Sequence, residues 1–366
     1  MPRKSAKRSI LLVPILLAGC GGSGNSSPAS FRSLTSKFPS PGAIAVSADG
    51  STITGIGYYN PLSINTTGTA WQAGVEFSPW TASETTFRSG IAVNADGTVI
   101  VGTGLAPVSG LSTGIVAYRW DPVNGGVVIP MPESTVSAWA NGVDGSGDIV
   151  VGTEYSATDS KSKGFRYDHG AVTILPTLGT EPYWFANAVS ADGTTTVGLA
   201  GAHAVKWIGT DAPTSLSSDA QEASALDTSR EGSTTVGYAA TSVGGLRFAC
   251  RWTATGYESL GTLPGRTQSV AIAVSDDGNV IVGNAYNVDS DPTTKEPFIW
   301  TPNDGLRPLR EILTGGRYAA YQKLTYIEVK DISKDGRTIV GVAYDQPTDH
   351  YSSFSVRLPA SATLGD

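Results

Sequence analysis

The chain has 366 residues, 16% of them charged and 40% hydrophobic, with 44 glycines. That is the profile of a turn-rich β protein and excludes a helical or disordered chain. The formal charge is −7, and no basic run follows the first eight residues, which speaks against nucleic acid as a partner.

Residues 1–19 begin with Arg3, Lys4, Lys7 and Arg8 and continue into an apolar stretch from Ile10 to Ala18. This is the layout of a secretory signal peptide, too short to span a membrane as a stable helix. Leu17-Ala18-Gly19-Cys20 resembles the bacterial lipobox. The chemistry it invites is a thioether between Cys20 Sγ and a diacylglycerol, then cleavage and acylation of the new amine. More than one acyl chain anchors stably where a single chain is marginal. Residues 20–30 then read as the lipidated Cys20 and a flexible tether with nothing to bury. Gly21 stands where an Asp would signal inner-membrane retention. By resemblance to Gram-negative lipoproteins, the expected address is the outer membrane or cell surface, reached through the lipid anchor.

From residue 43 onward one segment recurs seven times: AIAVSADGSTITG at 43–55, GIAVNADGTVIVG at 90–102, ANGVDGSGDIVVG at 140–152, ANAVSADGTTTVG at 186–198, ASALDTSREGSTTVG at 223–237, AIAVSDDGNVIVG at 271–283 and VKDISKDGRTIVG at 329–341. Alternation before the turn and a β-branched run after it predict two strands. The Asp-Gly between them is the strongest short hairpin signal. A second glycine, five residues on in each copy, predicts a bulge or a close backbone approach. A small residue recurs before the turn, at Ala45, Ala92, Gly142, Ala188, Ala225 and Ala273, with Asp331 the one departure.

Each copy is followed by an aromatic strand: Phe77 to Trp80, Tyr118 to Trp120, Phe165 to Tyr167, Val205 to Trp207, Cys250 to Trp252, Phe298 to Trp300 and Phe354 to Val356. A turn and a short apolar strand come next, giving four strands per repeat. The seventh copy lacks its fourth strand, and Phe31-Arg32-Ser33-Leu34 reads like Tyr257-Glu258-Ser259-Leu260. The expected fold is therefore all-β: a seven-bladed β-propeller of four-stranded blades over 31–358, with 31–37 paired to 353–358 to close the ring. Residues 359–366 remain as a tail, and a propeller of this kind is expected to be monomeric. Cys250 occupies a place that other repeats fill with core residues and reads as a small core side chain.

The repeat resembles the bacterial extracellular HAF repeat: a Ser-x-Asp-Gly turn, a Val-Val-Gly, an Ala-Phe-Arg-Trp strand and a Leu-Gly-x-Leu-Pro. The best matches are 249–264 and 271–283. The resemblance covers nearly all of 31–358 and implies export and a propeller. It brings no agreed activity and no catalytic residues.

Asp49, Asp96, Asp192, Asp277 and Asp335 are expected to ring one face of the disc as hairpin formers, a reading preferred to calcium ligation. Asp289, Asp291 and Glu296 lack a complete calcium spacing. The opposite face gathers the connections between blades, and the candidate ligand-binding residues lie there: Phe87, Arg88, Trp139, Tyr183, Trp184, Glu222, Arg266, Gln268 and Tyr326. Aromatic faces with Arg and amides suit a glycan or peptide, although Trp184 and above all Trp139 equally suit gaps between blades. His169, His203 and His350 are isolated and lack metal spacing. Neither a Gly-x-Ser-x-Gly elbow nor a phosphate loop occurs. The sequence thus points to a non-catalytic envelope binding module for a glycan, peptide or protein, with no catalytic residue, no metal and no cofactor beyond the diacylglycerol on Cys20. A glycoside-active hydrolase or lyase, using Glu181 with Glu222 or Glu328, and a purely structural envelope scaffold are the alternatives.

Overall fold

The computed structural model describes residues 30–38, 40–58, 66–77, 86–108, 111–217, 222–288, 295–324, 326–345 and 350–358. The leader, Cys20 and the 359–366 tail lie outside the described residues, as do Gln221, Asp289 and Asp291 and the side chain of Phe87.

Seven four-stranded antiparallel sheets form a β-propeller. Six take their strands consecutively, from 40–77, 86–128, 135–174, 184–215, 222–261 and 268–308. The seventh takes three strands from 326–357 and its outer strand, Ser30–Leu34, from the other end of the chain. Ser30 pairs with Arg357 and Leu34 with Ser353, the closure expected from sequence. Pairing hides two strand edges that an open array would expose.

The first strand of each blade lies nearest the axis: Ser40–Val46, Thr86–Val93, Thr135–Val143, Trp184–Val189, Glu222–Thr228, Gln268–Val274 and Tyr326–Ile332. Each carries the same bulge. The ladder skips Ile44, Ile91, Asn141, Asn187, Leu226, Ile272 and Lys330 in turn. A bulge bends its strand and leaves one residue unpaired. Here it also swings a carbonyl over the second glycine of the repeat. A Cβ on Gly283 would collide with Val270 O and the Phe298 ring, and one on Gly152 with Trp139 O and the Phe165 ring. In every blade the second glycine thus leaves room for a backbone carbonyl, and at Gly152, Gly283 and Gly341 for an aromatic ring as well.

The Asp-Gly turns carry a second shared feature. Ser47 N donates to Thr52 O at 2.8 Å, and Gly50, at φ 78°, donates to Ser47 O at 3.0 Å. The turn residues of successive blades then bond to one another: Ala48 to Ala95, Ala95 to Gly145, Gly145 to Ala191, Asp192 to Arg230, Arg230 to Asp276, Asp276 to Lys334 and Asp335 back to Ala48, each N–H to the next blade's carbonyl at 2.8–3.3 Å. These seven bonds form a closed circle at one end of the axis.

Apolar side chains fill the spaces between neighbouring sheets. Val101 and Ala117 of the second blade meet Val150 and Phe165 of the third, and Val236 and Ala249 of the fifth meet Ile281 and Phe298 of the sixth. Cys250 is fully buried in one such layer, and burial pushes its thiol far above the ordinary range, as a core residue requires.

Two sequence expectations need correction, and one feature is new. The aromatic strand of the first blade is Thr66–Gln72, with Trp71 opposite Ile53; Phe77 belongs to the outer strand. In the fifth blade Ala225 pairs with Gly237 as Ala43 pairs with Gly55. The axial position there holds Asp227, so Asp331 is not the one departure from small residues. Finally, residues 309–324 form short helical turns, Leu309–Ile312, Gly316–Tyr318 and Tyr321–Lys323. Buried Tyr321 packs edge-on to Phe31 and Phe354, bracing the closing sheet.

Gly283→Ala should cost about 1–3 kcal/mol through forced displacement of backbone and ring, whereas Gly316→Ala, which has open space at its Cβ, should change stability by less than about 0.5 kcal/mol. Urea unfolding midpoints check this; equal midpoints for the two variants would refute the packing role given to the second glycine.

Candidate functional site

The aspartates of the turn face are spent on the turns themselves. Asp49 accepts from Ser47 Oγ and Ser51 N, both at 2.9 Å. Asp192 accepts from Thr194 N at 2.9 Å, and Asp277 from Ser275 Oγ at 2.6 Å and Asn279 N at 3.0 Å. Burial would raise Asp49, Asp96, Asp192 and Asp277, but these hydrogen bonds outweigh it and hold them below the usual carboxylate range. Among the described residues no group of three or more His, Cys, Asp and Glu side chains converges as a metal set.

On the opposite face the candidate residues separate into two kinds. Trp184 is buried, with Nε1 donating to Leu175 O at 2.7 Å inside the layer between blades. Gln268 is buried and its Oε1 accepts Arg247 N at 3.0 Å. Tyr326 is buried, donates to Glu328 Oε2 at 2.8 Å and meets Tyr351 edge-on. Trp139 is half-buried, and its carbonyl is the one that covers Gly152. Arg88 donates to Thr66 O at 3.5 Å. Phe87 pairs through its backbone with Gly104.

Tyr183 and Glu222 are differently placed. Tyr183 is 40% exposed and leans on Phe185. Glu222 accepts Gly244 N at 3.0 Å and both Nε and Nη2 of Arg247, at 3.1 and 2.6 Å. The guanidinium lies over the Tyr238 ring, 4.5 Å from its centroid. Burial raises Tyr238, with Arg247 opposing the rise and Glu222 adding to it. The Tyr238 ring thus lies under one half of a fixed ion pair, while Tyr183, next to Trp184, and Tyr286, opposite Gln268, stand at the loop-face ends of the first two strands in the fourth and sixth blades. The bond from Gly244, followed by Arg247, holds Glu222 below its ordinary value.

Further round the same face Glu328 Oε1 is 2.9 Å from Lys295 Nζ and 2.8 Å from Lys330 Nζ. Burial pushes Glu328 up, but the two lysines outweigh it and hold it at about 2. Glu181 lies 3.9 Å from His203 Nε2. A glycosidase needs a carboxyl whose pKa is raised so that it can donate a proton; Glu222 and Glu328 are shifted the other way. At the outer rim Arg266 and Arg310 approach Glu296 at 3.7 and 4.0 Å, beside a groove of about 360 Å³ walled by Leu263, Pro264 and Pro308. Sequence reasoning missed Arg247, Tyr238, Tyr286 and Lys330. The signal available was the second-to-third loops and strand ends, which point to the same face as the connections that were searched.

The axis itself is a cavity of about 420 Å³ that all seven blades line. The bulged residues enter it, along with Ala45, Ala92, Gly142, Ala188 and Ala273 from five blades and Asp227 and Asp331 from the other two. Lys334 Nζ sits 3.0 Å from Asp227 Oδ2. Burial pushes Asp331 up to about 7 against the opposing pull of Lys334 and with Asp227 adding to the rise.

No family profile matches the chain, and no curated protein matches it in sequence. Among solved structures, an oligogalacturonate lyase in complex with manganese is similar over 92% of this chain and 95% of that one, at 14% identity and a TM-score of 0.57. The β-propeller domain of the Trilobed protease from Pyrococcus furiosus, which has an open velcro topology, is similar over 87% of this chain and 96% of that one, at 11% identity and a TM-score of 0.52. At these identities the likeness carries the propeller fold alone.

Asp331 gives the protein a pH dependence of known sign. Its folded value lies above the ordinary Asp value of about 3.9, so the stability it contributes is full below about pH 4 and is lost as pH rises through about 7. Asp331→Ala should therefore gain in melting temperature relative to the wild type between pH 5 and pH 8; parallel profiles would contradict the assignment.

Proposed function

We propose that this chain is an exported, lipid-anchored envelope protein whose propeller is a non-catalytic binding module, and that its ligand is a glycan held on the loop face. One observation carries this reading: the Tyr238 ring lies under the guanidinium of the Glu222–Arg247 pair, 4.5 Å from it, on the loop face, with Tyr183 of the preceding blade open to solvent. Tyrosine faces stack on the C–H faces of sugar rings, and a fixed guanidinium and carboxylate supply directed donors and acceptors for hydroxyls. The Glu222–Arg247 pair and the Gln268 contact pre-set the geometry, which lowers the ordering cost of binding.

The anchoring part of the proposal rests on the basic stretch Arg3 to Arg8, the apolar stretch Ile10 to Ala18 and the Leu17-Ala18-Gly19-Cys20 box. Ser30 lies opposite Arg357, which pairs with Thr338 just after the Asp-Gly turn of the seventh blade. Ser30, the first described residue, therefore lies at the turn face. A tether to an acylated Cys20 would hold that side toward the membrane and leave the loop face free.

Binding to a panel of immobilised bacterial and plant polysaccharides tests the proposal. A saturable ligand should be found, with affinity falling tenfold or more in Tyr183→Ala and Arg247→Ala and unchanged in Tyr257→Ala, an exposed tyrosine of an outer strand. Wild-type binding that survives both loop-face substitutions would place the ligand elsewhere. Radiolabelled palmitate incorporation that persists in Cys20→Ser would remove the lipid anchor.

A further inference from the structure

On the loop face of the seventh blade two ammonium groups share one carboxylate. Lys295 donates to Glu328 Oε1 at 2.9 Å, and Lys330 Nζ lies 2.8 Å from the same oxygen. The second oxygen of Glu328 accepts Tyr326 OH at 2.8 Å. Among the described residues, Glu328 is the one acid within ion-pairing distance of either lysine. Two positive charges therefore face one negative charge. An ammonium carries three donors, so each lysine keeps donors that Glu328 does not use. The two lysine side chains are 29% and 35% exposed, which leaves those donors open to a ligand from solvent.

The fold does not ask for this cluster. The position of Glu328 is filled in the other blades by Gly42, Ser89, Trp139, Phe185, Ser224 and Val270, none of them charged. The bulged position of Lys330 is likewise uncharged in the other six. Lys295 precedes the strand Glu296–Thr301 as Arg247 precedes Phe248–Thr253. From the fifth blade to the seventh, Arg247, Lys295 and Lys330 thus set three cations against Glu222 and Glu328, in a chain whose formal charge is −7. A locally cationic strip on an acidic protein favours an anionic partner at that place and repels it elsewhere. Beside the strip, Tyr326, Tyr344 and Tyr351 stand opposite one another on three adjacent strands. Tyr351 meets Tyr326 at 6.0 Å and Tyr344 at 5.3 Å between ring centroids, and it is 46% exposed. An open aromatic ring next to paired ammonium groups suits a ligand with both a carboxylate and a C–H face, which is the chemistry of a sugar acid.

Resting on the glycan reading of this face, we propose that the ligand is an acidic glycan, with a uronate carboxylate taken between Lys295 and Lys330 and a ring of the same sugar chain laid on Tyr351. Glu328 shows the geometry that the pair accepts, one carboxylate oxygen between two ammonium groups.

The test is affinity electrophoresis of the full chain through alginate and through hyaluronan, each beside its carboxyl-reduced form. The wild type should bind at least one of the acidic polymers tenfold or more tightly than the reduced form, and added salt should shrink that preference. Lys295→Gln and Lys330→Gln should each weaken binding of the acidic polymer at least threefold, and the double variant should lose the preference. Lys295→Arg, which keeps the charge, should retain it. Tyr351→Ala should weaken binding of both forms alike. Equal or tighter binding of the reduced forms by the wild type would overturn the inference and leave the glycan reading standing. Absence of binding to every polysaccharide, acidic or neutral, would remove both. A folded double variant that keeps the preference, or a Tyr351→Ala variant that binds both forms as the wild type does, would also overturn it.

Discussion

The circle of seven backbone hydrogen bonds between the Asp-Gly turns is the constraint on which the remaining structure depends. Each bond is ordinary, worth on the order of 1 kcal/mol net. Their arrangement is what matters, because a closed circle fixes the position of every first strand relative to the axis. The repeated bulge is the complement of that circle. It bends each first strand and leaves one residue free to face the channel. The second glycine follows from the bulge, because the displaced carbonyl needs the space a side chain would take.

Closure at the rim answers closure at the hub. The strand Ser30–Leu34 completes the seventh blade, and Tyr321 fastens it through Phe31 and Phe354. Polar side chains tie neighbouring blades nearer the axis: Asn141 and Asn187 each donate to the next blade's strand, and Ser353 Oγ accepts Ala43 N. The scaffold is thus held at both radii. Chemistry that differs from blade to blade is found on the loop face and the channel wall, in the Glu222–Arg247 pair over Tyr238 and in the two axial aspartates.

Much of the fold was legible because one physical requirement was written seven times. Positive φ at the turn glycine and volume exclusion at the second glycine each admit one residue type, so the repeat survives drift elsewhere. The strand that closes the ring could be found because Phe31 to Leu34 repeats the pattern of an outer strand. Errors arose where the pattern loosened. The fifth repeat, counted from Ala223, runs two residues longer than the others, and that offset hides Asp227. The first blade sets Thr69 opposite the second glycine, where four other blades set an aromatic ring, so the aromatic signal falls on Phe77 of the outer strand instead. The helical turns at 309–324 have no counterpart in the repeat. The site was less legible for a related reason: Trp184, Gln268 and Tyr326 have the composition of a binding surface but are consumed by packing and internal hydrogen bonds. Arg247 and Tyr238 sit on either side of the second-to-third loop of one blade and meet only through the pairing of those strands.

Native-state hydrogen exchange tests the dependence on the circle most directly. If the circle holds the propeller as one cooperative unit, the amides of Ala48, Ala95, Gly145, Asp192, Arg230, Asp276 and Asp335 should all exchange at one common slow rate, that of global unfolding, although they lie in turns. Fast exchange at these turns, or rates that differ blade by blade while the first strands stay protected, would contradict the account.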